Sequence, residues 1–332
     1  MCGIYGYANL QPNKAGLDAH RLKYAISLLA ILNMERGTDS TGLLTIDRNQ
    51  HIDTVRKTKD STAFLTHANV RRHVQENLSH ETAVVLGHTR FATTGGVTIR
   101  NAQPFVCGTI AGTHNGILSN WEAVRTRYAL PQTTDVDSEV LFRLAERAQT
   151  LDEFVTLLGT VQGSYAVAQF DTRQPDSITF YRNHNPLTVG YCARSGYLLW
   201  SSEEEHLNAV NATFDLQLEP LDLPSYELLQ ISGKHKLTRR VLERSYYAGY
   251  STWQTAEESV NRKTLVDASC EACGSWKRVK WSAYHATSLC RDCRKKWSKT
   301  TPVYRSKYGN TAGRSLYYED NYIYNDGLKG GL

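Results

Sequence analysis

Between Leu17 and Arg36 the apolar residues Leu22, Ala25, Ile26, Leu29 and Leu32 recur at spacings of three and four, which predicts a helix with one buried face. The opening stretch CGIYGYANL instead alternates small and β-favouring residues before the Pro12/Asn13 turn signal, and reads as a strand. Further strands are predicted in TAVVLGHTRFA, VCGTIAGTHNG, GSYAVAQFD, SITFYR, LTVGYCA and YLLWSS. Helices are predicted over 62–77, 120–129, 137–149 and 151–160, several opened by Ser, Thr or Asp. Strands that follow one another without a helix between them imply antiparallel pairing and an α+β layered domain. Residues 246–268 are polar and weakly periodic, as a linker would be, and the Tyr-rich segment 300–332 reads as an extended or disordered tail.

No run of about 18 apolar residues occurs, so no membrane-spanning helix is expected. The start MCGIYGYANLQ lacks a basic segment leading into an apolar core, so no secretory signal is expected and a cytoplasmic setting is. The 332 residues, 41% hydrophobic and 21% charged, suffice for one large domain and a small appendage. Charge is unevenly spread: twelve Lys/Arg and three Asp/Glu between Arg262 and Lys307 give that stretch +9, against −4 for the remainder.

Four of the seven cysteines form two CxxC pairs, Cys270/Cys273 and Cys290/Cys293, separated by sixteen residues. Four thiolates in paired turns offer the soft four-coordinate ligation of a structural zinc, so residues 269–299 are predicted to fold as a zinc-ribbon-like module; a rubredoxin-like iron site or disulfides are the alternatives. Around these cysteines stand Trp276, Lys277, Arg278, Lys280, Trp281, Arg294, Lys295, Lys296 and Trp297. Basic residues interleaved with aromatics suit phosphate neutralisation and base stacking. A charged face that docks a protein partner is the competing reading.

Cys2 carries a different signal. Before glycine it is freed by methionine removal, and its own α-amine, with a pKa of about 7.7–8.0, can serve as a general base. A thiol with a base on the same residue is a complete nucleophile. Alone, Cys2 would more readily read as a small buried residue at the start of a strand.

Four further motifs change that balance: RGTDSTG at 36–42, GHTRFATTG at 87–95, THNGILSN at 113–120 and DVDSEV at 135–140. Together with MCGIYGY they resemble the class II glutamine amidotransferases, an N-terminal-nucleophile hydrolase domain also found in glutamine phosphoribosylpyrophosphate amidotransferase and glucosamine-6-phosphate synthase. The resemblance covers residues 2–245, including GSYAVA at 163–168, NPLTVG at 185–190 and SSEEEHL at 201–207. It implies a four-layer αββα sandwich of two antiparallel sheets. It also implies hydrolysis of L-glutamine to glutamate and ammonia through a Cys2 thioester, with no cofactor for that step.

Oxyanion donors would be the Asn115 side-chain amide and the Gly116 backbone N–H, although Asn-Gly by itself also signals a turn. Arg90 would clamp the substrate carboxylate, Asp137 would hold its ammonium group, and Thr93 would support the substrate or the loop. His88 would pack beneath Arg90, while Arg36 and Asp39 would form a structural pair holding the nucleophile's loop. Two departures stand out: Phe91 replaces the usual tryptophan, and NAQPF at 101–105 is close to the phosphoribosylpyrophosphate branch.

Relatives couple this domain to a synthase, and the roughly 85 residues after 245 hold neither a P-loop nor a G-x-G-x-x-G stretch. The ammonia acceptor is therefore expected on another chain, in modification of a nucleotide, base or nucleic acid, or else the enzyme is a free glutaminase. Competing readings are a non-catalytic nucleic-acid- or partner-binding protein on the same scaffold, and an N-terminal-cysteine hydrolase of another amide.

Overall fold

A computed structural model describes residues 1–11, 13–233 and 236–242, with the backbone of 265–269 and 276–280. Strand β1 (Gly3–Ala8) is buried on both faces, and its alternation divides two cores. Ile4 and Ala8 point inward between two sheets, while Tyr5 and Tyr7 point outward under helices. With β2 (Ser40–Asp47), β3 (Ile52–Lys57), β4 (Thr82–Arg90), β9 (Thr188–Cys192), β10 (Tyr197–Ser201) and β11 (Glu219–Leu221), it forms a sheet of order β11-β9-β10-β1-β4-β2-β3. The second sheet has the order β13-β12-β8-β7-β6-β5. Its strands are β5 (Phe105–Cys107), β6 (Ile110–Leu118), β7 (Gly163–Asp171), β8 (Ser177–Arg182), β12 (Glu227–Ser232) and β13 (Leu237–Val241). All pairings are antiparallel.

The sheets face each other through Leu44, Leu86 and Trp200 on one side and Phe170, Phe180 and Ile231 on the other. Each such side chain contributes about 1.5–3 kcal/mol by leaving water. The outer face of the first sheet is covered by α1 (Ala19–Leu32), α2 (Ser61–Thr66), α3 (Ala68–Asn77) and α7 (Glu204–Phe214). Helices α4 (Trp121–Tyr128), α5 (Glu139–Arg147) and α6 (Leu151–Leu158) cover the second, where Val140, Leu144 and Phe154 join Tyr165, Tyr181 and Leu228. The result is the expected four-layer αββα sandwich.

Several elements depart from expectation. The helix predicted over 62–77 breaks at His67, whose extended backbone ends α2 and whose ring accepts the Asn69 N–H to open α3. The segment VCGTIAGTHNG is two strands, folded back at Gly108, where φ is +57°. Strands β2, β3, β11, β12 and β13 and helix α7 were not predicted from the pattern.

The chain separates into two compact units, Met1–Tyr247 and Ala248–Leu332. Within the second, β14 (Leu265–Ser269) pairs antiparallel with β15 (Trp276–Lys280), Ser269 lying opposite Trp276. Strand β14 takes up the end of the segment read as a linker, and the connection between the two strands carries Cys270 and Cys273. All four candidate zinc ligands, with Trp281, Arg294, Lys295, Lys296 and Trp297, lie outside the described residues, while Trp276, Lys277, Arg278 and Lys280 belong to β15. Among the described residues no helix is long and apolar enough to cross a membrane.

Candidate active site

Cys2 immediately precedes β1, and its neighbours fix where it sits. The Ser202 hydroxyl accepts the Ile4 N–H at 2.9 Å, and Ile4 O accepts the Ser202 N–H at 2.8 Å. Arg36 Nε donates to the Cys2 carbonyl at 2.8 Å, and the same guanidinium pairs with Glu203. The Cys2 thiol lies 3.5 Å from the Phe91 carbonyl. Burial pushes the thiol's pKa up, the nearby Arg90 charge pulls it down, and Asp137 raises it.

Asp39 does not pair with Arg36, contrary to expectation. Its carboxylate accepts the Ala92 N–H at 2.7 Å, and its own N–H donates to Arg90 O at 2.9 Å. Both residues brace the site, but each by gripping a different backbone segment.

Arg90 ends β4 and is buried. Its guanidinium is caged by loop carbonyls: Nη1 donates to Gly96 O at 2.9 Å, and Nη2 to Thr94 O at 2.6 Å and Gly95 O at 3.2 Å. Burial lowers its pKa, while Cys2, Asp39 and Asp137 oppose that. Thr93 is exposed on this loop and takes no part in the cage.

Asn115 and Gly116 stand in the middle of β6, not in a turn. Gly116 has φ of +152°, and a Cβ there would come within 1.9 Å of Ser164 O, so only glycine fits. Strand β5 pairs with β6 only as far as Gly112, which leaves the edge beyond without a strand. On that edge the His114 N–H donates to Gln103 Oε1 at 2.7 Å, and the Leu118 N–H to Asp137 Oδ2 at 2.6 Å. The period-two alternation of the backbone therefore places the Gly116 N–H on the same edge, between them. The Asn115 amide is buried, and both its Oδ1 and its Nδ2 lack a protein partner.

Neutral groups hold this strand. Gln103 Nε2 donates to His114 O at 3.2 Å and to Ser138 Oγ at 3.2 Å. Ser138 Oγ also lies 2.7 Å from His114 Nδ1, and Asn185 Nδ2 donates to Asn115 O at 2.7 Å. His88, fully buried on β4, reaches across the sheets to His114 O, 3.1 Å from its Nε2. Burial lowers its pKa to about 3, so the ring is neutral and Nε2 is the donor.

Cys2, Arg90 and Asp137 lie close enough to act on one another electrostatically, and the Asp137 bond to the Leu118 N–H ties them to the edge of β6, the strand that carries Asn115 and Gly116. The supports Gln103, His114, Ser138, Asn185 and Glu203 had been assigned no role from sequence. All five fall within motifs of the resemblance, Gln103 in NAQPF, His114 in THNGILSN, Ser138 in DVDSEV, Asn185 in NPLTVG and Glu203 in SSEEEHL, so a signal existed for them.

The family described as the glutamine amidotransferase domain matches residues 52–262. The chain is 35% identical over 203 residues to the glutamine–fructose-6-phosphate aminotransferase (isomerizing) of Shouchella clausii strain KSM-K16, covering 57% of this chain and 30% of that protein. It is 29% identical over 261 residues to the corresponding protein of Chlorobaculum tepidum, covering 72% of this chain and 39% of that protein. It therefore spans well under half the length of these relatives. A glutamine phosphoribosylpyrophosphate amidotransferase structure from B. subtilis, complexed with ADP and GMP, matches at TM-score 0.56 and 18% identity, over 74% of this chain and 50% of that one, a likeness of fold.

Proposed function

The chain belongs to the class II glutamine amidotransferase domain family, and on that premise we propose that it hydrolyses L-glutamine to glutamate and ammonia through Cys2. Removal of Met1 exposes the Cys2 α-amine, which takes the thiol proton as sulfur attacks the side-chain carbonyl of glutamine. The C=O π bond opens, and the negative charge that collects on oxygen meets the Asn115 amide and the Gly116 N–H. Collapse of the adduct expels ammonia, which takes up the proton, and leaves a γ-glutamyl thioester. Water then cleaves that thioester to glutamate and restores the thiol. Arg90 pairs with the substrate carboxylate, Asp137 with its ammonium group, and Thr93 supports the loop over them.

One observation carries this reading. A buried amide with neither donor nor acceptor engaged is costly unless a ligand engages it, and Asn115 stands on the open edge beside the position where only glycine fits. Steady-state release of glutamate by wild type, and its loss in Cys2→Ala, is the expected result. Wild type releasing no glutamate with its acceptor enzyme present would sink the proposal.

The ammonia serves a synthase on another chain, in modification of a nucleotide or nucleic acid; the basic, aromatic-rich stretch from Arg262 to Lys307 supports that direction. The four-thiolate set Cys270, Cys273, Cys290 and Cys293 fits one structural zinc, which would fold its own segment and take no part in the hydrolysis. One equivalent of zinc per chain, lost in Cys270→Ser, is the expected metal content. Free thiols at Cys2, Cys107 and Cys192 suit a reducing, cytoplasmic setting.

A further inference from the structure

The edge strands β3 and β5, one from each sheet, border a cavity of about 240 Å³. Arg56 from β3 and Arg100 from the loop before β5 both line it. Arg56 Nη1 donates to Ala102 O at 3.0 Å and Arg100 Nε donates to Thr133 O, but among the described residues neither pairs with a carboxylate. The acid in the wall, Glu139, is already spent. It accepts the Thr133 and Thr134 N–H groups and both hydroxyls, and it pairs with Arg143. Cys107 in the same wall is neutral, since burial pushes its thiol up to about 12. Burial works against the Arg56 charge with no acid to offset it. Two guanidinium groups therefore share a concave site with no balancing charge of their own.

We propose that this cavity binds the phosphate group of a small phosphate monoester. A phosphate monoester carries about −1.5 to −2 charge at neutral pH, matching two arginines, whereas a monocarboxylate would leave one of them unbalanced. The planar guanidinium fork suits the bidentate geometry of phosphate oxygens. The volume is several times the roughly 30 Å³ share of a water molecule, which leaves room for part of the ester group. The site also adjoins the loop that cages Arg90. Asn101, next to Arg100 in the chain, donates through Nδ2 to Gly96 O at 3.0 Å, the same carbonyl that receives Arg90 Nη1.

Thermal unfolding of the full chain tests this with inorganic phosphate as the probe, against acetate at matched ionic strength. Phosphate is expected to raise the wild-type Tm by about 3 °C and acetate to leave it unchanged. In Arg56→Met and Arg100→Gln, each compared with its own ligand-free Tm, the phosphate shift is expected to vanish, with phosphate affinity at least tenfold weaker by calorimetric titration. Arg100 is exposed, so its variant keeps the test open if Arg56→Met fails to fold. An equal phosphate shift in Arg100→Gln, an equal acetate shift in wild type, or no shift in wild type would each overturn the proposal. The readout is binding, so it stands apart from the outcome of the glutaminase assay.

Discussion

The Cys2 end of the site is braced by ions, the Asn115 strand by neutral dipoles. Around Cys2, the Arg36–Glu203 pair grips the backbone at Cys2, Asp39 grips Ala92, and Arg90 waits inside a ring of carbonyls. Around Asn115, the holding groups are Gln103, Ser138, Asn185 and two histidines whose pKa values burial lowers. Asp137 is the carboxylate on that side, and one of its oxygens is fixed by the Leu118 N–H. On the proposed mechanism Arg90 and Asp137, one from each side, supply the permanent charges for the charged amino-acid end of the substrate. Dipoles stand where charge exists only in passing, and there they cost far less to bury than an ion would.

Substitutions at each end sharpen this contrast. Cys2→Ala is expected to lower kcat by about 10⁶-fold, to background, with Tm unchanged, as glutamate release and thermal unfolding would record. Asn115→Ala should lower kcat by about 10²–10³-fold with KM little altered, because its amide serves a charge that only the transition state carries. A large rise in KM instead would mean that Asn115 holds the ground state, and the contrast would fail. Arg90→Met should act the other way, raising KM about 100-fold with a smaller effect on kcat.

The smallest effect is one of stability. The His88 pKa is about 3 in the folded chain against an ordinary value of 6.5, so between those limits the unfolded chain binds the extra proton. Stability from this ring is complete above pH 6.5 and is lost as pH falls toward 3, by about 2 kcal/mol at pH 5. His88→Gln, which keeps a donor for His114 O, should remove that part of the slope in urea titrations at pH 7 and pH 5. An unchanged slope would place the titration elsewhere.

The sequence made the reacting groups easier to read than their supports. Cys2, Arg90, Asn115 and Asp137 sit in short motifs whose residue types follow from the chemistry. The bonds from Gln103 to His114, His88 to His114 and Asn185 to Asn115 span 11, 26 and 70 residues, and it is the folded chain, with the packing of two sheets in the case of His88, that brings those groups together. Among the elements, β1 and α1 were legible because period-two and period-3.6 patterns were clean. Strand β2 was not, since Thr41, Gly42 and Thr45 dilute its apolar positions, and the two β6 residues most suggestive of a turn lie in a strand. His67 breaks its helix with neither glycine nor proline to announce it.

The hydrogen bond from Arg36 to the Cys2 carbonyl has a bearing on maturation. It latches the chain on the far side of the Met1–Cys2 peptide bond, while Met1 itself is 68% exposed. Loss of Met1 would leave Arg36 still holding the Cys2 carbonyl, so the contact that fixes the sulfur's place does not depend on the first residue.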